Sequence, residues 1–424
     1  MFQRKKFEIL ILFLSLGFIS VYFLISIYSI TLVIRNTNSK SALPKNIPMH
    51  LQKKNFSMNA INTMSVLGQW LLSGQPNTPP ELVRIKRSPY LILIWKYGHY
   101  LEQRHIKHYS STTYSSWENC TMSNCILSYK SEDLPKADAV LFHMHRMRGI
   151  ADLPKRTRRN QIWIFLSDES PMHTFLYNKQ NLSDYNGLFN WSMTYRFNSD
   201  IPVPYGRTVL NSLSGSSQNF ELQLDKIKLK NKLVAIMGSN CATNNGRWSY
   251  VKELKKLLKT DLDIYGSCLN GNKMACPGHF TQDCPALNNY KFYLAFENSN
   301  CKEYLTEKVF WNSYHKLSVP IIMGPPKEDC KRLLPPNSYL HIDDFANPSA
   351  LADYIKYLNI SFNKYIEYHE WRSYYKVINE HGYFGSKSKH YCRICEALNY
   401  NKPVVKWYKN IANFWNKDKD CILN

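Results

Sequence analysis

Apolar residues in this chain arrive mostly in short continuous runs, neither alternating nor at helical spacing. Tyr90-Leu-Ile-Leu-Ile-Trp95, Ala137-Asp-Ala-Val-Leu-Phe-His143 and Gln161-Ile-Trp-Ile-Phe-Leu166 read as three buried strands. A strand apolar at successive positions must be covered on both faces, which points to a parallel sheet. A second series opens at Lys232-Leu-Val-Ala-Ile-Met-Gly-Ser239. It predicts a strand to Met237, a Gly-Ser-Asn turn and a helix from about Arg247 to Lys259. Strands follow at Asp263 to Ser267, Tyr290 to Glu297, Val319 to Met323 and near Tyr339 to Ile342, with helices over Tyr304 to Lys316 and Pro348 to Leu358. Strands alternating with helices build doubly wound sheets, with ligands beyond the carboxyl ends of the strands. The expected fold class is therefore α/β, with two Rossmann-like doubly wound domains facing a cleft: 89–215, and 216–385 followed by a Cys-containing segment 386–424. Ile201-Pro-Val-Pro-Tyr-Gly206 cannot be central strand or helix, because its prolines remove backbone donors. Residues 207 to about 230, rich in Ser, Asn, Gln and Lys, read as a linker.

Upstream of the strands the pattern changes. Ile9 to Ile34 is an uncharged run of 26 residues. About 20 apolar residues suffice for a helix to cross a bilayer, so an uncleaved anchor over 9–34 is expected, behind a tail of residues 1–8. A cleaved signal peptide fits less well, since the run is long and lacks a small-residue cleavage pattern. Lys and Arg flank both ends and leave the orientation near a tie. Five N-glycosylation sequons downstream, at Asn55, Asn119, Asn181, Asn190 and Asn359, favour a luminal body, as do eleven cysteines that all lie beyond the run. Residues 35–88 are polar, with no sustained period of 3.6 or 2, and read as a mostly flexible stem. The net charge of +22 asks for an anionic partner. No nucleic-acid-reading motif, zinc-finger spacing or Walker loop accompanies it, so nucleic acid is not the expected partner.

Candidate chemistry concentrates in Tyr290 to Asn312. A buried strand delivers Glu297 and Asn298 to its carboxyl end, and after a loop a helix is expected to present Tyr304, Glu307 and Lys308 in its first turn. There Lys308 could bind a diphosphate together with helix N–H groups, while Glu307 accepts sugar hydroxyls. An amphipathic helix with solvated Glu and Lys is the plain alternative. Arg247 follows a turn rich in Gly and short polar residues, as suits close approach to a phosphate. Glu169 closes an apolar strand and precedes Ser170-Pro171. It could act as a base or cap the following turn, and Asp168 beside it is a rival.

Phe-Tyr-Leu-Ala-Phe-Glu-Asn-Ser at 292–299, Tyr304-x-Thr-Glu-Lys308 and Val319-Pro-Ile-Ile-Met-Gly-Pro325 resemble the signature of the α1,3-fucosyltransferases. The likeness runs from about Asp138 to Cys395 and includes Glu169-Ser-Pro-Met-His-Thr174 and Met193-Thr-Tyr-Arg196. It continues through Ser199-Asp-Ile-Pro-Val-Pro-Tyr-Gly206, Ser239-Asn-Cys241 with Arg247, and Asp263-Ile-Tyr-Gly266. The resemblance implies a GT-B architecture, GDP-fucose as donor and a GlcNAc hydroxyl of a glycoprotein glycan as acceptor. It also implies transfer in α1,3 linkage with inversion, and a single-pass type II Golgi membrane protein with a luminal catalytic domain. Residue by residue, it assigns the diphosphate to Arg247 and Lys308, the nucleotide and fucose to Asn298, Tyr304 and Glu307, and the general base to Glu169. His143, His145 and Arg146 stand where related enzymes carry a His-His-Arg-type motif tied to acceptor choice. Here the sequence is His-Met-His-Arg-Met, which leaves core or antenna GlcNAc open.

Asp261-Leu-Asp263 has the Asp-x-Asp form of a metal-holding pair, yet no further converging oxygens can be placed. No metal site is expected and no cofactor is required beyond the GDP-fucose co-substrate, a divalent ion being at most stimulatory. Cys392-Arg-Ile-Cys395 could be a redox pair, half a zinc site or a disulfide. Zinc lacks two ligands and the redox context is absent, so a structural disulfide is favoured, in line with the C-terminal pair the family often has. Cys268, Cys276 and Cys284 are expected to staple a loop, and the odd total leaves a thiol over. A transferase for another nucleotide sugar and an inactive glycan-binding homologue are the competing readings.

Overall fold

The computed structural model describes residues 48–73, 78–83, 88–107, 115–177, 180–211, 216–243, 245–272, 276, 282–384, 386–402 and 406–422. Strands β1 (Tyr90–Ile94), β2 (Cys125–Ser128), β3 (Ala139–His143), β4 (Ile162–Ser167), β5 (Trp191–Thr194) and β6 (Ile201–Pro202) form one all-parallel sheet in the order β2-β1-β3-β4-β5-β6. Ile92, Leu141, Ile164 and Leu166 bury on one face, and Leu93, Val140, Phe142, Trp163 and Phe165 on the other. This two-sided burial is why these strands read as continuous apolar runs. Pro202 sits at the sheet edge, where a missing N–H costs least.

β7 (Gly206–Leu210) leaves this sheet. Next, β8 (Lys232–Met237), β9 (Leu262–Tyr265), β10 (Tyr290–Phe296), β12 (Val319–Met323) and β13 (Leu340–His341) form a second parallel sheet, ordered β13-β12-β10-β8-β9. The short β11 (Asn300–Cys301) stands apart from that sheet. β14 (Tyr375–Asn379) returns to pair antiparallel with β7, and β15 (Cys421–Ile422) pairs with β11. The chain enters the second sheet at β8, steps out to β9 and comes back on the other side to β10. That reversal opens a crevice at the carboxyl ends of β8 and β10. Residues 48–211 and 216–422 belong to one compact body.

Three regions differ from the sequence reading. Residues 207–230 are not a bare linker: β7 and the helix Ser216–Lys228 occupy most of them. The supposed stem is structured from residue 48. The helix Val66–Ser73 buries Leu67 and Leu71, Asn401 Oδ1 accepts from the Leu67 N–H at 3.1 Å, and Arg207 donates to the Leu71 carbonyl at 3.1 Å. An eight-residue helix is marginal alone and takes its stability from these tertiary contacts, which a local pattern does not register. Finally, the helix expected from Tyr304 begins at Glu307 and runs as a π-helix over Phe310–His315. The tail, the apolar run 9–34 and residues 35–47 lie outside the described residues. Among the described residues no helix is long and apolar enough to cross a membrane.

Candidate active site

A cavity of about 460 Å³ opens where β8, β9 and β10 end, and its lining includes Glu169, Arg247, Asn298, Tyr304, Glu307 and Lys308. Five of these come from the loops and helix starts that follow strands of the second sheet, and Glu169 comes from just beyond the end of β4 in the first. Two glycines allow close packing at and behind the cavity wall. Gly266 has φ +92, and a Cβ there would fall 2.3 Å from the Gly238 carbonyl oxygen, so these two lining turns touch backbone to backbone. Gly324 has φ +142, and its missing Cβ leaves room for the Glu297 side chain.

Glu297 is fully buried, and it organises the loop that follows β10. Its Oε1 accepts from the Thr306 N–H at 2.9 Å and from the Thr306 hydroxyl at 2.9 Å, while Oε2 lies 3.1 Å from Lys308 Nζ. Lys308 Nζ also donates to Glu307 Oε1 at 2.9 Å and to Thr306 Oγ1 at 2.9 Å. Burial disfavours the ammonium, but Glu297 and Glu307 outweigh it and hold its pKa above the usual lysine value. Burial pushes the Glu297 carboxyl up. Lys308 is thus a fixed cation on the cavity wall.

Arg247 opens the helix Arg247–Leu258 and is only 4% exposed. Its Nη1 donates to the Phe296 carbonyl at 3.0 Å and its Nη2 to the Asn240 carbonyl at 2.7 Å, while Nε has no hydrogen-bond partner. No carboxylate among the described residues forms an ion pair with it. Burial lowers its pKa, with Glu297 partly compensating. A buried guanidinium without a counter-ion, lining a cavity, is built for an anionic ligand.

Glu169 faces these cations across the cavity, its Oε2 accepting from the Tyr304 hydroxyl at 2.9 Å and from Asn298 Nδ2 at 3.3 Å. The turn Pro171–His173 has no side-chain cap, so the capping role is not what occupies Glu169. Asp168, the rival base, is buried and held by Arg104 and His390, and it does not line the cavity. Tyr304 sits before the helix and not in its first turn, because Thr306 takes the N-cap position. Burial, together with the Glu169 and Glu297 carboxylates, raises the Tyr304 pKa well above the ordinary tyrosine value.

His143, His145 and Arg146 do not reach this cavity. His143 is buried at the end of β3, His145 Nδ1 contacts the His173 carbonyl at 3.0 Å, and the Arg146 guanidinium lies 4.2 Å from the Tyr100 ring centroid. Asp261 and Asp263 do not line the cavity, and Asp263 accepts from Lys232 at 2.9 Å beside the start of β8. The sequence reading gave no role to Glu297 and Thr306, although both lie inside the motifs it quoted. Tyr205, which lies inside the quoted segment Ser199–Gly206 but was given no role, also lines the cavity, as does Tyr383, which lies in none of the quoted motifs.

Two further expectations need correction. Cys392 and Cys395 do not pair with each other. Three residues apart on the helix His390–Tyr400, they bond to Cys120 and Cys125 respectively. Cys241–Cys268, Cys276–Cys284 and Cys301–Cys421 are the other disulfides, and Cys330 is a buried free thiol. The Asn190 sequon is buried in the fold. It is 5% exposed, its Oδ1 accepts from the Trp163 N–H at 2.9 Å and its Nδ2 donates to the Lys406 carbonyl at 2.9 Å. Asn55, Asn119, Asn181 and Asn359 are exposed.

Two family models match this chain: "Glycosyltransferase family 10 (fucosyltransferase) C-term" over residues 227–415, and "Fucosyltransferase, N-terminal" over residues 87–206. The chain is 32% identical over 306 residues to glycoprotein 3-alpha-L-fucosyltransferase A of Drosophila melanogaster, covering 71% of this chain and 56% of that protein. It is 33% identical over 294 residues to a 4-galactosyl-N-acetylglucosaminide 3-alpha-L-fucosyltransferase of Pan troglodytes, covering 68% of this chain and 76% of that one. The chain therefore spans little more than half the length of the Drosophila protein. A crystal structure of an alpha1,3-fucosyltransferase with GDP-fucose aligns over 74% of this chain and 88% of its own, at 16% identity and a TM-score of 0.42. On the family models and the length of the relatives matched, the chain belongs to glycosyltransferase family 10, the fucosyltransferases.

Proposed function

We propose that this protein transfers L-fucose from GDP-fucose to a GlcNAc hydroxyl of a glycoprotein glycan, in α1,3 linkage and with inversion. The observation that carries the reading is the pairing of Arg247 and Lys308 on one wall of the cavity with the Glu169 carboxylate on the other. In the proposed step the bond from the fucose anomeric carbon to the β-phosphate oxygen breaks as the acceptor oxygen bonds to the opposite face of that carbon. The electron pair leaves on GDP, whose new charge Arg247 and Lys308 stabilise. The acceptor proton passes to Glu169. These two side chains supply the cationic charge that a metal supplies elsewhere, so a metal-independent reaction is proposed, with divalent ions at most stimulatory. The GT-B architecture, the type II Golgi membrane anchor over 9–34 and the luminal orientation belong to the same proposal, supported by the apolar run, the sequons and the disulfides. The acceptor is a core or an antenna GlcNAc.

The test is incubation of the protein with GDP-fucose and a panel of N-glycan and lactosamine acceptors, followed by linkage determination. Fucosylated product in α1,3 linkage, inhibited by GDP and not by UDP and surviving EDTA, is expected. Glu169→Gln should abolish transfer and keep GDP binding. Wild-type turnover in that variant would remove Glu169 from the mechanism, and inhibition by UDP in place of GDP would replace the donor.

A further inference from the structure

Behind Glu169 lies a buried polar cluster that the transfer step does not use. Asp168 is 4% exposed, with Oδ1 at 2.9 Å from His390 Nε2 and 3.2 Å from His381 Nε2, and Oδ2 accepting from Arg104 Nη1 at 3.1 Å. Arg104 Nη2 meets His381 Nδ1 at 2.7 Å. A guanidinium only donates, so that ring nitrogen accepts, and the imidazole hydrogen sits on Nε2, which lies near Asp168 Oδ1 without making a hydrogen bond to it. His390 Nδ1 lies 3.0 Å from the Ser388 hydroxyl, which also meets His105 Nδ1 at 2.7 Å.

The cluster reaches the cavity through the backbone. The Asp168 carbonyl accepts from the Tyr205 hydroxyl at 3.0 Å, and Tyr205 lines the cavity with its ring stacked on His381 at 3.7 Å between centroids. On the far side of Glu169, the Ser170 hydroxyl bonds Ser299 at 2.7 Å. Glu169 is therefore clamped by its two neighbours in sequence.

A metal is the competing use of these groups, since ligand atoms of His105, Asp168 and His390 lie within 4.8 Å of one another. The geometry disfavours it. The His105 and His390 rings stack at 3.9 Å with 25° between their planes, so their in-plane lone pairs do not converge on one point, and a guanidinium already occupies Asp168.

We propose that Asp168 is a positioning residue for fucosyl transfer: bonded by Arg104 and His390, with His381 holding Arg104, it fixes the backbone at 168–170 so that the Glu169 carboxylate stays directed into the cavity. The inference rests on the reading of Glu169 as the base. A misplacement of about 1 Å costs roughly 10²-fold in rate. Asp168→Asn in the full-length protein should thus lower kcat by about 10- to 100-fold while KM for GDP-fucose stays within about threefold, because the donor groups sit on the other sheet. His390→Gln places an amide N–H where Nε2 was, and His390→Leu removes the donor at similar volume. Leu should reproduce the Asp168→Asn loss and Gln should recover most of it, a rescue that general loosening of the fold does not produce. Equal kcat for the Gln and Leu variants would overturn the proposal, and so would wild-type kcat in Asp168→Asn. Stoichiometric zinc in the purified protein, lost together with activity on chelation, would also overturn it. If Asp168→Asn does not fold, the His390 pair decides alone. Absence of any fucosylated product from the wild type would instead sink the functional reading; an active wild type, a dead Glu169→Gln and a full-speed His390→Leu would sink only the positioning.

Discussion

Replacing Arg247 by methionine should separate binding from stability. The guanidinium is buried, its donors reach two carbonyls and no carboxylate, and its Nε is unpartnered. In the empty protein the variant orphans the Phe296 carbonyl's contact from Arg247, at a cost of about 1–3 kcal/mol. The Asn240 carbonyl keeps the Trp248 indole N–H at 2.8 Å. Against this, an uncompensated buried ion costs several kcal/mol to desolvate, and methionine does not. The two effects offset to within about 2 kcal/mol, so Tm of the ligand-free protein should move by roughly 5 °C or less. Binding has no such offset. Each charge-assisted hydrogen bond to a diphosphate contributes about 1.5–3 kcal/mol, so GDP affinity should fall by roughly 10- to 150-fold. Calorimetric titration with GDP, beside thermal melts with and without it, measures both. A GDP Kd within about threefold of wild type would refute the argument, as would a ligand-free melt lowered by far more than about 10 °C, which would make Arg247 a strut.

Three other outcomes are expected. The Cys120–Cys392 and Cys125–Cys395 bridges have sequence separations of 272 and 270 and constrain nearly the same loop. By loop-closure entropy, either bridge alone, with its neighbour intact, closes only a loop of about 10 residues, and its removal should cost about 3 kcal/mol. Removing both also frees the large loop and should cost about 8 kcal/mol, about 2 kcal/mol more than the two single losses added. Denaturant unfolding of the single and double variants should therefore be non-additive, and additive losses would contradict this. Burial lowers the pKa of His143 and His381 to about 3 despite the nearby Asp168. The unfolded chain takes up these protons below about pH 6.5 and the folded chain does not, so stability should fall from there down to about 3, by up to ~1.4 kcal/mol per pH unit for each histidine. A Tm that stays flat between about pH 7 and 5 would count against it. In peptide mapping of the folded protein made in a glycosylating host, Asn190 should carry no glycan, and occupancy there would show that its buried contacts are misassigned.

The parallel strands could be read from the chain because both faces of each sheet are covered, which makes almost every position apolar. The short edge strand β2 gave no such signal, since its face is half open. Arg247, Lys308 and Glu169 could be nominated from motifs. What the motifs could not convey is the wiring among them: Glu297 holds Thr306 and Lys308 through contacts that close across a loop. A sequon is equally blind to burial, as Asn190 shows, and a Cys-x-x-Cys spacing says nothing of partners some 270 residues away.

Those two distant bridges bear on biosynthesis. The helix that supplies Cys392 and Cys395 seats against the helix Val66–Ser73 and β6, and it contributes His390 to the support of Asp168. The amino-terminal sheet therefore cannot be closed by these bridges until the segment carrying Cys392 and Cys395 has been made. A premature stop that spares every donor-site side chain but removes residues after about 385 would damage the half of the molecule made first. Neither half should be recoverable by expressing it alone.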